Sequence, residues 1–216
     1  MSIAILIILL ASLLVIIGGI FLSVGAYRKS ARASQRIISD RDLLLLINEE
    51  PDRIINTTSI AKKTGLSINQ ARNRMTKFMY AGTVNQITSG LKYFYELKVP
   101  IAEEGLIELS NNPFISIEDL FTLFDHFGQK MTIQNICIAT GLPYKVIKEE
   151  MKYFKKEGIV YEMTSHKGIG LMADKFYTLQ EAYKGNRDNH MQRDSEINLD
   201  LKEIYTRLNK DGDGYV

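Results

Sequence analysis

The chain has 216 residues, enough for one or two domains with hydrophobic cores, and a net charge of +2 that by itself indicates no partner. Its single cysteine, Cys137, excludes an internal disulfide and suits a reducing compartment. No CxxC or HExxH spacing is present, so the sequence predicts no structural metal site and no cofactor. The three histidines are scattered and no glycine-rich phosphate loop is present, so we expect a protein that is not an enzyme.

An uncharged apolar segment, residues 3 to 26, is long enough to cross a bilayer as a helix. Five basic residues follow it closely: Arg28, Lys29, Arg32, Arg36 and Arg41. By the positive-inside rule, this predicts a single-pass membrane protein with its N-terminus outside and its soluble domains in the cytoplasm. A cleaved signal peptide is the alternative, but it needs a basic n-region and a shorter apolar core. We assign residues 1–27 to the membrane anchor and 28–37 to a basic juxtamembrane linker.

A helix-turn-helix pattern occupies residues 60 to 89. Gly65 can supply the positive φ of a helix-ending turn, and Ser67 is a suitable N-cap for the next helix. Gly82 ends that helix, and a strand begins at Val84. Four apolar residues of the helix have the spacing of a single face: Ile68, Ala71, Met75 and Phe78. A helix-turn-helix followed by a β hairpin resembles the winged-helix superfamily of DNA-binding domains.

The same stretch occurs twice in the chain. Ile60 aligns with Ile136, a shift of 76 residues, and without a gap the thirty positions contain ten identical pairs, where chance would give roughly two. The identical residues belong to the turn, the apolar face and the hairpin, while the exposed positions differ. We therefore predict two copies of one domain.

The predicted fold class is mainly α with small β wings, consisting of one transmembrane helix and two tandem winged-helix domains of α+β type. The predicted boundaries are 38–98 for winged helix 1, 99–116 for a connector, 117–180 for winged helix 2, and 181–216 for a polar tail with a terminal amphipathic helix.

The first domain is charged with one sign. Between Ile54 and Tyr95 there is no acidic residue, although six lysines and arginines are present. Such a stretch indicates a phosphate-binding surface, and amide and arginine side chains are suited to reading base edges in double-stranded DNA. In the winged-helix family, the second helix of the motif enters the major groove and the wing reaches the backbone or minor groove. The resemblance therefore implies DNA contacts by Ser67, Asn69, Gln70, Arg72, Asn73, Lys77 and, in the wing, Lys92.

The corresponding helix of the second domain has a mixed charge, with Glu149 and Glu150 among its lysines. Lysine attracts phosphate but reads bases poorly. We expect an auxiliary role, either as a backbone clamp or as a surface for a second subunit or another protein. The residues proposed for auxiliary phosphate contacts are Lys145, Lys148 and Lys152.

The last residues resemble the first part of an EF-hand loop, with oxygen ligands at positions one, three and five and Gly214 at position six. The sequence contains eight loop positions and therefore no bidentate glutamate at position twelve. We expect no metal here, with calcium at Asn209, Asp211 and Asp213 as the weaker alternative.

Taken together, the sequence predicts a membrane-anchored DNA-binding protein, a transcriptional regulator whose first winged helix contacts DNA. The alternative is a membrane-tethered tandem winged-helix scaffold that binds proteins without touching DNA. The acid-free first domain favours the regulator. The Phe-rich helix around residues 120–127 favours the scaffold.

Overall fold

The computed structural model describes residues 30, 33–90, 92–101, 107–165 and 174–184. The first unit, residues 40–97, is built from three helices and three strands. Its elements are α1 (Asp40–Asn48), β1 (Ile54–Asn56), α2 (Thr57–Thr64), α3 (Ile68–Tyr80), β2 (Val84–Ser89) and β3 (Lys92–Leu97). A 3-10 turn, Pro51–Arg53, joins α1 to β1.

The second unit, residues 116–183, repeats this order with one strand fewer. Its elements are α4 (Ile117–Phe127), α5 (Ile133–Thr140), α6 (Tyr144–Lys156), β4 (Val160–Ser165) and β5 (Asp174–Leu179). A 3-10 turn, Glu181–Tyr183, follows the last strand.

Both sheets are small and antiparallel. In the first unit the strand order is β1-β3-β2, with Val84 opposite Leu97 and Ile55 opposite Tyr95. In the second unit β4 pairs with β5, and a single bridge between Met131 and Tyr177 stands where the first unit has β1. The described chain is therefore a mixture of short helices and two small sheets.

The identical Thr-Gly-Leu sequences form the same turn in both units. The Thr64 hydroxyl donates to the carbonyl of Ile60 at 2.8 Å, and the Thr140 hydroxyl donates to that of Ile136 at 2.7 Å. Gly65 follows with φ of 78° and Gly141 with φ of 68°, which a residue with a Cβ rarely adopts. The threonine holds the last turn of one helix while the glycine redirects the chain into the next.

The two units share one hydrophobic core rather than two separate ones. Helix α1 of the first unit packs against α5 of the second. Polar contacts reinforce this junction, since the Gln134 side chain donates to the Val99 carbonyl at 2.8 Å and Lys98 pairs with Asp174 at 2.8 Å. The arrangement of α3 relative to α6 is therefore fixed by packing as well as by the covalent connection.

The predicted fold class and the predicted single-pass localisation require correction. No helix within the described ranges is both long enough and apolar enough to span a membrane. The longest two, α3 and α6, have 13 residues each, whereas a spanning helix needs about 20. Each also carries charged side chains on its exposed face. The segment for which the spanning helix was predicted, residues 3 to 26, lies outside the described residues.

The residues of the predicted calcium loop, Asn209, Asp211 and Asp213, also lie outside the described residues. In the part of the chain that the structure describes, no three His, Cys, Asp or Glu side chains come together as metal ligands. Cys137 is buried, and burial raises the pKa of its thiol.

Candidate nucleic-acid interface

Helix α3 begins with a complete capping box. The Ser67 hydroxyl accepts the Gln70 N–H at 3.2 Å, and the Gln70 side-chain oxygen accepts the Ser67 N–H at 2.9 Å. Two first-turn N–H groups of the region are thereby satisfied locally. Both residues were predicted to contact DNA, but in this geometry the Gln70 side chain stabilises the helix terminus. We therefore leave Gln70 out of the base-reading set.

Beside the first half of α3 lies a groove of about 430 Å³, bounded by α2, α3 and β3. Its cationic side chains are Arg72 and Lys92, both exposed, and Arg72 lies 5.7 Å from the centroid of the Tyr93 ring. The remaining lining residues are Asn56, Thr57, Thr58, Ser59 and Ile68. The groove therefore combines the two positive charges of Arg72 and Lys92 with hydroxyl groups and the N-terminus of α2. This combination is suited to binding phosphate.

The local sequence explains why α2 points its N-terminus at the groove. Asn56 ends β1 and caps α2, and its side-chain oxygen accepts the Ser59 N–H at 2.8 Å. The β1–β3 pairing then holds this cap beside the hairpin. The three-residue strand β1 was missed by the sequence analysis, because three residues are too few to show an alternating pattern.

The other predicted residues of α3 divide between two surfaces. Asn69 and Asn73 are exposed and lie one helical turn apart. Lys77 is half-buried on the side facing the second unit, and its pKa is lowered mainly by burial, with Arg74 and Lys145 adding to the effect. The structure therefore brings Arg72 and Lys92 together in the groove, leaves the two asparagines outward, and directs Lys77 toward α6.

Arg74 is not part of the exposed basic surface. Its side chain is 3% exposed, and its guanidinium donates to the Asp40 carboxylate and to the backbone carbonyls of Ser34 and Ile38. Ala71, Arg74 and Phe78 are spaced three and four residues apart, so position 74 lies on the buried helix face. That spacing was the signal by which the sequence could have placed Arg74 inside.

Asp40 also reaches the second unit. Its second carboxylate oxygen accepts the backbone N–H of Tyr144, the first residue of α6, at 2.9 Å. Helix α6 is preceded by Pro143, which offers no side-chain cap. A carboxylate at a helix N-terminus is favourable because it satisfies a free donor and opposes the positive end of the helix dipole. Asp40 therefore caps α6 from the other unit, a contact that the sequence analysis missed.

The turn before α6 is covered by the same part of α1. A Cβ placed on Gly141 would lie 3.9 Å from the Arg41 side chain. Together with the Asp40 contact, this packing leaves Pro143 and Tyr144 half-buried, whereas Ser67 and Ile68 at the corresponding positions of α3 are exposed. The N-terminal end of α3 is therefore more exposed than the equivalent end of α6.

The three lysines predicted for auxiliary contacts, Lys145, Lys148 and Lys152, are exposed on α6. Further along the same helix, Lys155 pairs with Glu162 of β4 at 2.8 Å. Glu150 is buried instead, and its oxygen Oε2 has no hydrogen-bond partner among the described residues. Burial, and secondly the nearby Glu149 carboxylate, raise the pKa of Glu150 to about 8.

Comparison with known proteins adds no family assignment: no protein-family model matches the chain, and no curated protein matches it. The function is therefore argued from the geometry of the groove and of the two equivalent helices.

Proposed function

We propose that this chain is a DNA-binding protein built from two winged-helix units, and that its first unit contacts duplex DNA as a transcriptional regulator does. The observation that supports this most directly is the exposed N-terminal half of α3, which lies beside a groove carrying Arg72 and Lys92. An exposed helix start next to positive charge is what major-groove docking requires. Contacts to phosphate and contacts to bases are then made by different side chains.

Arg72 and Lys92 would hold the phosphate backbone on either side of the groove. Their separation between a helix and a hairpin fits a backbone that passes from one element to the other. Asn69 and Asn73 would face the base edges, because they project from the exposed face of α3. An asparagine can pair with adenine through both the oxygen and the nitrogen of its side-chain amide, and such a pair discriminates between bases.

A second candidate function is protein binding without DNA. Tyr161 is 49% exposed and Met163 is 46% exposed, and alternation along β4 places them on the same face of the hairpin. Exposed apolar residues of this size are typical of protein-interaction surfaces. This candidate predicts that duplex DNA does not bind to the chain and that changes at Arg72 and Lys92 leave its partner binding intact.

The test is fluorescence anisotropy of the full-length protein with labelled mixed-sequence duplex DNA at several salt concentrations. We expect the Arg72→Ala/Lys92→Ala variant to bind more weakly and to lower the slope of log K against log salt by about 1.8, at about 0.9 per phosphate contact. The matched control, Lys130→Ala/Lys184→Ala, changes the net charge equally at exposed positions of the second unit. The slope of log K against log salt for this control should stay closer to that of the wild type.

Two results would contradict the proposal. One is absence of duplex binding by the wild-type protein at about 50 mM salt, where electrostatic contacts are strong. The other is an equal loss of binding in the variant and the control, because binding would then depend on net charge rather than on the groove.

A further inference from the structure

The exposed face of α6 carries a row of lysines. Lys145, Lys148 and Lys152 follow one another at spacings of three and four residues, which places them on one side of the helix. The internal repeat aligns them with Asn69, Arg72 and Thr76 of α3. At two of these positions, those of Asn69 and Arg72, the second unit therefore presents positive charge where the proposed function places DNA contacts of the first unit.

Within the row, Lys148 and Lys152 outnumber Glu149, the partly exposed acid between them. Lys148 and Lys152 make no ion pair with any residue that the structure describes, and as like charges four residues apart they repel each other. The next lysine, Lys155, is neutralised by Glu162, which also lies 3.7 Å from Lys175. The hairpin thus neutralises the end of α6 and leaves the middle of the helix positive.

The first unit partly covers the first residue of α6, Tyr144. In helix-turn-helix proteins the N-terminal residues of the second helix approach the base edges. Here the first residue of α6 is bonded to Asp40, and Arg41 packs against Gly141 in the preceding turn. The lysine row, which begins at the second residue of α6, is exposed, and lysine contacts to phosphate carry no sequence information.

The row begins close to where the exposed face of α3 ends. Asp40 is bonded to Arg74 of α3 and to Tyr144 of α6, so a single carboxylate separates these two helices. Lys77 lies one turn beyond Arg74; burial lowers its pKa, the Asp40 carboxylate opposes this, and the charges of Arg74 and Lys145 add to the lowering. From Lys145 to Lys152 the helix rises about 10 Å, roughly three base-pair steps of duplex.

We propose that the lysine row of α6 is a clamp for the phosphate backbone of the same duplex that the first unit binds. This inference rests on the proposed function. It assigns the second unit a contribution to affinity that is equal for all DNA sequences, and it makes Asp40 the residue that sets the clamp relative to α3.

The test measures duplex binding by the full-length Lys148→Ala/Lys152→Ala variant across the same salt series. We expect weaker binding to every sequence, with the slope of log K against log salt reduced by about 1.8 and the preference among sequences unchanged. The control is Lys155→Ala/Lys175→Ala, which removes the same charge from side chains that already face Glu162. Its slope should stay closer to that of the wild type.

The outcomes separate the clamp from the proposed function. A wild-type slope in Lys148→Ala/Lys152→Ala, alongside a reduced slope in Arg72→Ala/Lys92→Ala, overturns the clamp and leaves the first unit as a DNA-binding domain. A change of sequence preference in the lysine variant also overturns it, because a backbone clamp reads no bases. If the wild-type protein binds no duplex at all, both proposals fall together.

Discussion

Helices α3 and α6 occupy equivalent places in the repeat, and each has a charged residue at the same buried position. The residue is positive in α3 (Arg74) and negative in α6 (Glu150). Arg74 of α3 is matched by Asp40 and two backbone carbonyls. Glu150 of α6 has an oxygen without a hydrogen-bond partner among the described residues. The repeat thus preserves turn and core shape, while this position differs between the copies: in α3 it holds Asp40, the residue that bonds to the second unit.

The two helices also differ in how their N-terminal ends are capped. Helix α3 carries its own capping box, so its first turn needs nothing from the rest of the chain and can face outward. Helix α6 follows a proline and takes its cap from Asp40. The start of α3 is thus capped by its own residues and exposed, whereas the start of α6 is capped by a residue of the other unit and is half-buried.

The largest expected effect comes from removing the shared carboxylate. Asp40→Ala leaves the Arg74 guanidinium buried without its counter-charge and removes the cap of α6. We expect the free energy of unfolding to fall by about 3–5 kcal/mol, as for other broken buried ion pairs. Glu49→Ala, at an exposed acid that follows the last residue of the same helix, should change it by roughly 0.5 kcal/mol or less. Urea denaturation measures both.

A second variant separates the charge from the packing. Replacing both partners by apolar residues, as in Asp40→Leu/Arg74→Met, should be less destabilising than Asp40→Ala alone, because no unpaired charge stays buried. A double variant less stable than the single one would show that the Arg74 hydrogen bonds to the Ser34 and Ile38 carbonyls, which only the double variant loses, matter more than the unpaired charge.

The unmatched buried acid predicts a pH dependence. Because the pKa of Glu150 lies near 8 in the folded chain and near the ordinary 4.5 when unfolded, the folded state holds an additional proton between those values. The free energy of unfolding should therefore fall as pH rises through this window, by at most about 1.4 kcal/mol per pH unit, with the loss complete above about pH 8.

Glu150→Gln removes this ionisation. The variant should be more stable than the wild type at high pH, on the order of 2 kcal/mol, and its advantage should shrink toward low pH. Denaturation midpoints at a series of pH values give the comparison. Glu157→Gln, an exposed acid at the end of the same helix, serves as control and should follow the wild-type curve. If stability changes with pH in the same way in the wild type and in Glu150→Gln, Glu150 is not the cause of the pH dependence.

The smallest effect concerns the independent cap of α3. Ser67→Ala removes the acceptor of the Gln70 N–H and should cost about 1 kcal/mol of stability. Ser89→Ala, an exposed serine at the end of β2, is the matched control. If thermal unfolding shows equal stability for both variants, the start of α3 depends on contacts other than its capping box.

Local features of the fold could be predicted because their signals are local. The helix predicted between the N-cap Ser67 and Gly82 is observed at Ile68–Tyr80 with Ser67 as its N-cap, since the cap, the apolar spacing and Gly82 all lie within one segment. The hairpin of the first unit was likewise predicted to begin at Val84 and is observed with strands Val84–Ser89 and Lys92–Leu97.

Features that depend on distant contacts could not be predicted. The hydrogen bond between Asp40 and Tyr144 joins residues 104 positions apart, and neither segment contains a pattern that predicts contact with the other. The same limitation affected the candidate site. Counting charges along the first domain included Arg74 as a surface cation, and it gave no weight to Asn56 at the start of α2, which the β1–β3 pairing brings to the groove.

The shared core has a consequence for how the chain unfolds. With α1 packed on α5, and with Asp40 bonded to helices of both units, neither copy can open without exposing apolar surface of the other. The described units should therefore melt as one cooperative block, with calorimetric and van't Hoff enthalpies in agreement. A sequence made of two copies would then behave, thermodynamically, as one indivisible domain.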